Sequence, residues 1–403
     1  MNIIKDSVIY LIGELFAKAL PFLLFPYLTR RLGVAGFGEL SYWQTLFNLL
    51  LIVFSLAQDG IVARYYYFYG KRNLSNVVYA GYFYTFFLLV IGLCFAYIQK
   101  SILMGIVLSA VASQSALSTQ LSIRQCQKQA LPYVFIQISS GLIAVFLTVL
   151  LLELSKGMEV EKRFIAVLIG NIMVSATAWY FFQKTVFHTK INISRLMISF
   201  KYIVALGLPL IFHQFALFIK GQLDRVFVYH QYSDHQLGIY AAGWQIAAVF
   251  GVVLMAINKA TVPYYYQALK QNTLTREKIC QFAIKSLWLV PLPAIFAYML
   301  PEQLWLWIVG INYQGISPYI VLFLLGYGLT LPYLILCNYL FFYGKNKQIA
   351  FLSISSSLIY LLVLILTSKI SIQYIPFSMI VSNFFLMVGI YIYIKLNNQQ
   401  VTQ

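Results

Sequence analysis

The 403-residue chain is 61% apolar and only 10% charged, with a mean hydropathy of +0.80, whereas a soluble domain is about half apolar and about a quarter charged. So few charges cannot cover a water-facing surface, which excludes a soluble enzyme, a secreted disulfide scaffold and a disordered chain. The formal net charge of +17 invites a nucleic-acid reading, but an excess of Lys and Arg also follows from membrane topology, so the position of the charges decides.

In chain order, apolar runs long enough to cross a bilayer fall near 7–28, 40–58, 77–98, 102–122, 132–152, 164–183, 202–220, 237–257, 282–300, 317–341, 349–367 and 373–394. The first run carries a small-x-small triplet, Ala17-Lys18-Ala19, but Gly13, Glu14 and Lys18 interrupt its apolar core and Pro21 follows. It is predicted to be a retained span rather than a cleaved signal. The tenth contains Gly326, Gly328 and Pro332, which predicts a distorted helix of the kind a bundle tolerates. With the N-terminus inside, one side holds eighteen Lys or Arg against Asp6, Asp59 and Glu277, and the other holds nine against seven acids. That asymmetry sets both termini in the cytoplasm and removes the need for a nucleic-acid partner. The outer loops are short, which disfavours a catalytic domain on that side.

The basic stretch 184–201 (Lys184, His188, Lys190, Arg195, Lys201) separates two sets of six spans, giving expected halves 1–190 and 191–403. The halves share ordered landmarks. Leu20-Pro21 matches Leu208-Pro209, the run from Gly38 to Gln44 matches Gly238 to Gln245, and Tyr65-Tyr66-Tyr67 matches Tyr264-Tyr265-Tyr266. Six spans is an even number, so the repeat is parallel, with a pseudo-twofold axis along the membrane normal. The expected fold is therefore an all-α membrane protein with about twelve transmembrane helices, in two parallel six-helix repeats around a central cavity.

Glu14 and Lys18 are the only Asp, Glu, Lys or Arg residues placed well inside a span. Their i,i+4 spacing puts them on one helix face with Pro21, and charges in hydrocarbon are expensive unless paired or facing water. In span 7, His213, Lys220 and Asp224 form one stripe, with Gln214 and Gln222 near it; Asp224-Arg225 also reads as an interfacial ion pair. Arg30 and Arg31 follow span 1 on the side with little net charge, where Arg forks suit phosphate oxygens, although lipid headgroups would serve equally. The Tyr triplets suit an interfacial aromatic belt. Cys94, Cys126, Cys280 and Cys337 show no metal or disulfide spacing. His230 and His235 lack a supporting acid cluster, and Gly326-x-Gly328 lacks a phosphate-loop context. No metal, cofactor or catalytic constellation is predicted.

The LP…TRRLGVAGFGELSYWQ…AR-YYY stretch within 8–67 and the ALGLPL…KGQLDRVFVYH…LGIYAAGWQIA stretch within 205–266 resemble the two half-repeats of bacterial polysaccharide flippases. These are the O-antigen and capsule-unit transporters of the multidrug/oligosaccharidyl-lipid/polysaccharide superfamily. The resemblance implies a bacterial inner-membrane protein that moves oligosaccharide units on undecaprenyl diphosphate from the cytoplasmic to the periplasmic leaflet. Its expected partners are the lipid-linked substrate, membrane lipids and other polysaccharide-assembly proteins. The polyprenyl tail stays in lipid while diphosphate and sugars need a hydrated path, opened alternately to each side. Lys18, Arg30, Arg31, Lys220 and Arg225 are the expected cationic set, with Glu14, Asp224 and His213 as coupling candidates. The cations of the two repeats do not align residue by residue, since Leu206 stands opposite Lys18. The rivals are a cation-coupled drug or metabolite exporter of the same superfamily, a membrane polysaccharide polymerase or ligase, and a lipid II-type flippase, which typically carries extra spans.

Overall fold

A computed structural model describes residues 3–71, 73–155, 157–182 and 193–396. Arg72, Lys156, Lys184, His188 and Lys190 lie outside the described residues, as do the expected boundary at 190/191 and the side chains of Lys5 and Asp6. The described residues form fifteen α-helices joined by short turns, with no strand among them. Eleven helical stretches are long and apolar enough to cross a membrane. They cover all twelve expected runs, because the first stretch, Ile12–Tyr69, carries two. A 25-residue helix such as α3 (Leu74–Ile98), α4 (Ile102–Cys126) or α5 (Ala130–Leu154) is roughly 37 Å long, enough for a hydrocarbon core of about 30 Å. Their outward side chains are large and apolar, among them Phe83, Phe87, Phe135 and Phe146, as lipid requires.

The first two spans lie in one continuous element, α1 (Ile3–Ser55), broken at Gly33 by φ 70° and ψ −177°. That φ is comfortable for glycine and strained for a residue with a Cβ. After α1, Leu56 and Ala57 take left-handed conformations before α2 (Gln58–Tyr69). Gln58 secures this break: its amide donates to the Gly81 carbonyl and to Thr85, at 3.0 and 3.1 Å. The helix order continues through α6 (Glu159–Phe182), α7 (Ile193–Gln231) and α8 (Asp234–Lys270), where the Ser233 hydroxyl caps α8 by accepting from the Gln236 N–H at 3.2 Å. Then come α9 (Arg276–Ser286), α10 (Leu292–Met299), α11 (Glu302–Val309), α12 (Ser317–Gly328), α13 (Thr330–Phe342), α14 (Asn346–Ser368) and α15 (Phe377–Leu396). The distortion expected at Gly326, Gly328 and Pro332 is present as the break between α12 and α13.

The chain forms two compact units. Unit 1 is Met1–Phe25 with Trp43–Phe215, and unit 2 is Pro26–Tyr42 with Ala216–Gln403. This division departs from the expected 1–190 and 191–403 at two places: the Gly33 break belongs to unit 2, and the first part of α7 belongs to unit 1. Packing explains the second, since Ile203 and Ile211 of α7 are buried with Ile61, Val62, Val77 and Ile123 in the core of unit 1. The core of unit 2 is built around Ile279, Leu336, Leu340, Leu386 and Ile390.

Inside unit 2 the matched glycines of the two repeats face each other. A methyl on Gly38 would overlap the Asp234 carbonyl, and one on Gly238 would overlap the Val34 carbonyl. The relation is reciprocal, with each glycine meeting the residue four positions before the other, as a local twofold demands. The Tyr triplets share a pattern. Tyr67 and Tyr264 are exposed, while Tyr65 and Tyr66 pack on the unit 1 core, Tyr265 and Tyr266 pack on the unit 2 core, and the Tyr265 hydroxyl donates to the Ile335 carbonyl at 2.8 Å.

Candidate functional site

A buried group that brings a carboxylate together with cations lies in unit 2, where α7 carries Lys220, Asp224 and Arg225 against α8, α14 and α15. Asp224 and Arg225 are 3% and 5% exposed, which is why they demand partners. One Asp224 oxygen accepts from the Arg225 backbone N–H at 3.0 Å and the other accepts from the Tyr240 hydroxyl. The Tyr360 hydroxyl also reaches Asp224 and Ser378. Both tyrosines are buried, so the carboxylate is held by hydroxyls rather than by a cation. Lys220 instead donates to the Ser356 hydroxyl at 3.0 Å, and the Ser356 hydroxyl donates in turn to the Ser382 carbonyl at 2.8 Å. The Arg225 guanidinium lies over the Trp244 ring, 3.9 Å from its centre, an arrangement that stabilises a desolvated cation. The ion pair read from the adjacency of Asp224 and Arg225 is absent: the two side chains turn to different partners, and Arg225 Nη2 has no hydrogen-bond partner. Lys220 and Arg225 outnumber Asp224, so the group favours an anion.

At the Gly33 break, also in unit 2, Arg30 donates to the Trp307 carbonyl in the last turn of α11. A cation there also meets the negative end of the helix. The Tyr313 hydroxyl lies 3.2 and 3.1 Å from the Thr29 and Gly33 carbonyls; burial pushes its pKa up, so it stays a neutral donor. Arg30 is thus anchored to α11, and Arg31 beside it is half-buried.

In unit 1, Glu14 and Lys18 form the ion pair their spacing predicts, at 2.9 Å, with side chains 34% and 52% exposed. Gly13 leaves no room for a Cβ against Val134, which fixes this turn on α5. His213 is exposed and makes no hydrogen bond among the described residues.

The structure therefore gathers Lys220, Asp224 and Arg225, sets Arg30 and Arg31 at the Gly33 break, and pairs Glu14 with Lys18. Sequence reasoning missed two inward-turned arginines that it had counted as loop charges. Arg124 at the end of α4 is 1% exposed and donates to Gln127 at 3.1 Å, and Arg163 in α6 donates to Thr148 at 2.8 Å. It also missed Tyr240 and Trp244, although both sit in the repeated Gly238–Gln245 landmark, and the Asn258–Asn338 hydrogen bond (2.8 Å) between α8 and α13.

With this geometry in place, known proteins supply the family. Residues 3–269 match the family described as "Polysaccharide biosynthesis protein". The chain belongs to that family. Residues 209–366 also match the MatE family. A Haemophilus influenzae protein named "Lsg locus putative protein 1" is 45% identical over 95% of this chain and 96% of its own length. An "Uncharacterized membrane protein" of the same organism is 47% identical over 94% of this chain and 93% of its own. Among solved structures, an inward-facing multidrug resistance MATE family transporter of the MOP superfamily covers 94% of this chain and 97% of its own at TM-score 0.65 and 13% identity. A MOP superfamily transporter from Pyrococcus furiosus, described by a binding pocket of reverse polarity, gives TM-score 0.60 at 14% identity, covering 97% of this chain and 94% of its own. The fold is the one these transporters share, as the flippase resemblance led us to expect. Family and fold together point to a multi-pass membrane transporter of the MOP superfamily rather than an enzyme.

Proposed function

We propose that this protein is a flippase of the bacterial inner membrane, both termini cytoplasmic, that moves oligosaccharide units linked to undecaprenyl diphosphate from the cytoplasmic to the periplasmic leaflet by alternating access. The units would serve O-antigen or capsule biosynthesis. The observation that carries the reading is the surplus of cationic charge on α7 in a member of the polysaccharide biosynthesis family. Lys220 and Arg225 are held by a hydroxyl and an indole ring, and Asp224 is occupied by tyrosines, so the lysine and arginine are left to attract a diphosphate. We assign Lys18, Arg30 and Arg31 to the same anion-attracting set, with Arg30 acting through its anchor on α11. Asp224 and Glu14, and less directly His213, are the groups we assign to coupling.

A cation-coupled exporter is the second reading, favoured by the MatE match over 209–366. Purified protein in liposomes separates the two: a labelled lipid-linked oligosaccharide should change leaflet with its chain length unaltered. Elongated product would make the protein a polymerase or ligase, and transport of organic cations without lipid-linked sugar would make it an exporter.

A further inference from the structure

We propose that the end of unit 1 formed by α2, the α2–α3 turn and the start of α7 is a binding site for the phosphate headgroup of an anionic phospholipid. These elements carry four exposed cations: Arg64 on α2, Lys71 in the turn, and Arg195 and Lys201 on α7. Tyr202 of α7 is the hub. Its hydroxyl accepts from Arg64 at 2.9 Å, and its ring meets Tyr65 and Tyr69 edge-on, at 5.6 and 6.0 Å between centres. The Arg64 guanidinium also lies 4.8 Å from the centre of the Phe68 ring. Arg195 donates to Asn73 at 3.2 Å, which ties the start of α7 to the α2–α3 turn, and the Lys71 ammonium lies 5.8 Å from the Tyr66 ring. The aromatic and amide partners orient these cations without neutralising them. No carboxylate pairs with any of the four among the described residues. Asp59, the acid on α2, sits at the opposite end of that helix.

The same surface identifies the class of anion. Phe68 and Tyr69 beside Arg64, and Ile193, Met197 and Ile198 beside Arg195, are 57–81% exposed. A face that mixes open cations with open aromatic and aliphatic side chains at helix ends belongs at the headgroup level, where rings sit at the interface and chains below. A free anion would satisfy the arginines and leave the apolar groups in water. A phospholipid satisfies both, with its phosphate on the guanidinium forks and its acyl chains along Ile193, Met197 and Ile198. This site belongs to unit 1 and the Lys220–Arg225 group to unit 2, and it does not depend on the transport reading.

The test uses full-length protein, delipidated in neutral detergent and titrated with phosphatidylglycerol or with phosphatidylcholine of the same chain length. Thermal unfolding and tyrosine fluorescence report binding. Native protein should prefer phosphatidylglycerol, and Arg64→Gln with Arg195→Gln should weaken that preference about five-fold for each cation removed. Lys71 and Lys201 make no side-chain hydrogen bond among the described residues, so Lys71→Gln with Lys201→Gln tests charge without disturbing packing and should also weaken it. Lys369→Gln, at the far end of α14, should leave the preference intact. An equal response to the two lipids, or a preference unchanged in both double variants, would overturn the site. Inorganic phosphate matching the effect of phosphatidylglycerol would overturn the assignment to lipid.

Discussion

Replacing Gly38 or Gly238 with alanine tests the local twofold directly. Each new methyl meets a backbone carbonyl, of Asp234 or Val34, and a carbonyl in a helix cannot rotate away as a side chain can. The helices must part by on the order of 1 Å, and a gap of that size forfeits about a quarter to a half of the dispersion energy at each contact. Overpacking of this kind costs about 1–3 kcal/mol, against roughly 1 kcal/mol gained from alanine's better helix propensity. Because the overlap is with backbone, the cost falls at the upper end of that range, and each variant should lose about 2 kcal/mol net. Because both methyls wedge apart the same crossing, the double variant should lose less than the sum of the singles. Gly221→Ala on α7 meets nothing within 4 Å, so it should be neutral or stabilise by about 0.5–1 kcal/mol. Denaturant unfolding of the purified protein in mild detergent reads all four. Additive losses, or a loss at one glycine and none at the other, would refute the reciprocal crossing.

Lys220→Met should stall transport while the protein still folds, and lipid-linked units should accumulate in the inner leaflet of cells that carry it; normal surface polysaccharide would reject the cationic assignment. Tyr240→Phe removes a donor from a buried carboxylate and should cost about 1.5–3 kcal/mol of stability, measurable by thermal unfolding. Arg30→Gln should cost about 1.5 kcal/mol by releasing α11 from the Gly33 break, and transport per folded molecule should also fall, because one cation of the anion-attracting set is gone.

The span pattern was legible because apolar length is a one-dimensional property. All twelve runs became helix, and the interruption at Gly326, Gly328 and Pro332 became a break between helices. The repeat was legible from Gly38 and Gly238, glycines kept for close approach of two helices. Charge was harder to read. Arg124 and Arg163 sit near helix ends and so looked like loop residues, yet their aliphatic stems and guanidinium groups turn inward to Gln127 and Thr148. Asp224 and Arg225 are neighbours in sequence but project about 100° apart around a helix, which is why adjacency suggested an ion pair and the fold supplied Tyr240 and Trp244 instead. His213 lay on the Lys220 stripe by periodicity, yet α7 passes from unit 1 to unit 2 between them. No hydropathy window registers that handover.

The handover has a genetic corollary. Cutting the gene at its central connection yields two polypeptides, neither of which encodes a whole folding body. The first lacks 193–215 and carries 26–42 for the other. Fragments expressed from separate plasmids should need to be synthesised together, and a homologue with one half deleted should survive only alongside a complementary chain.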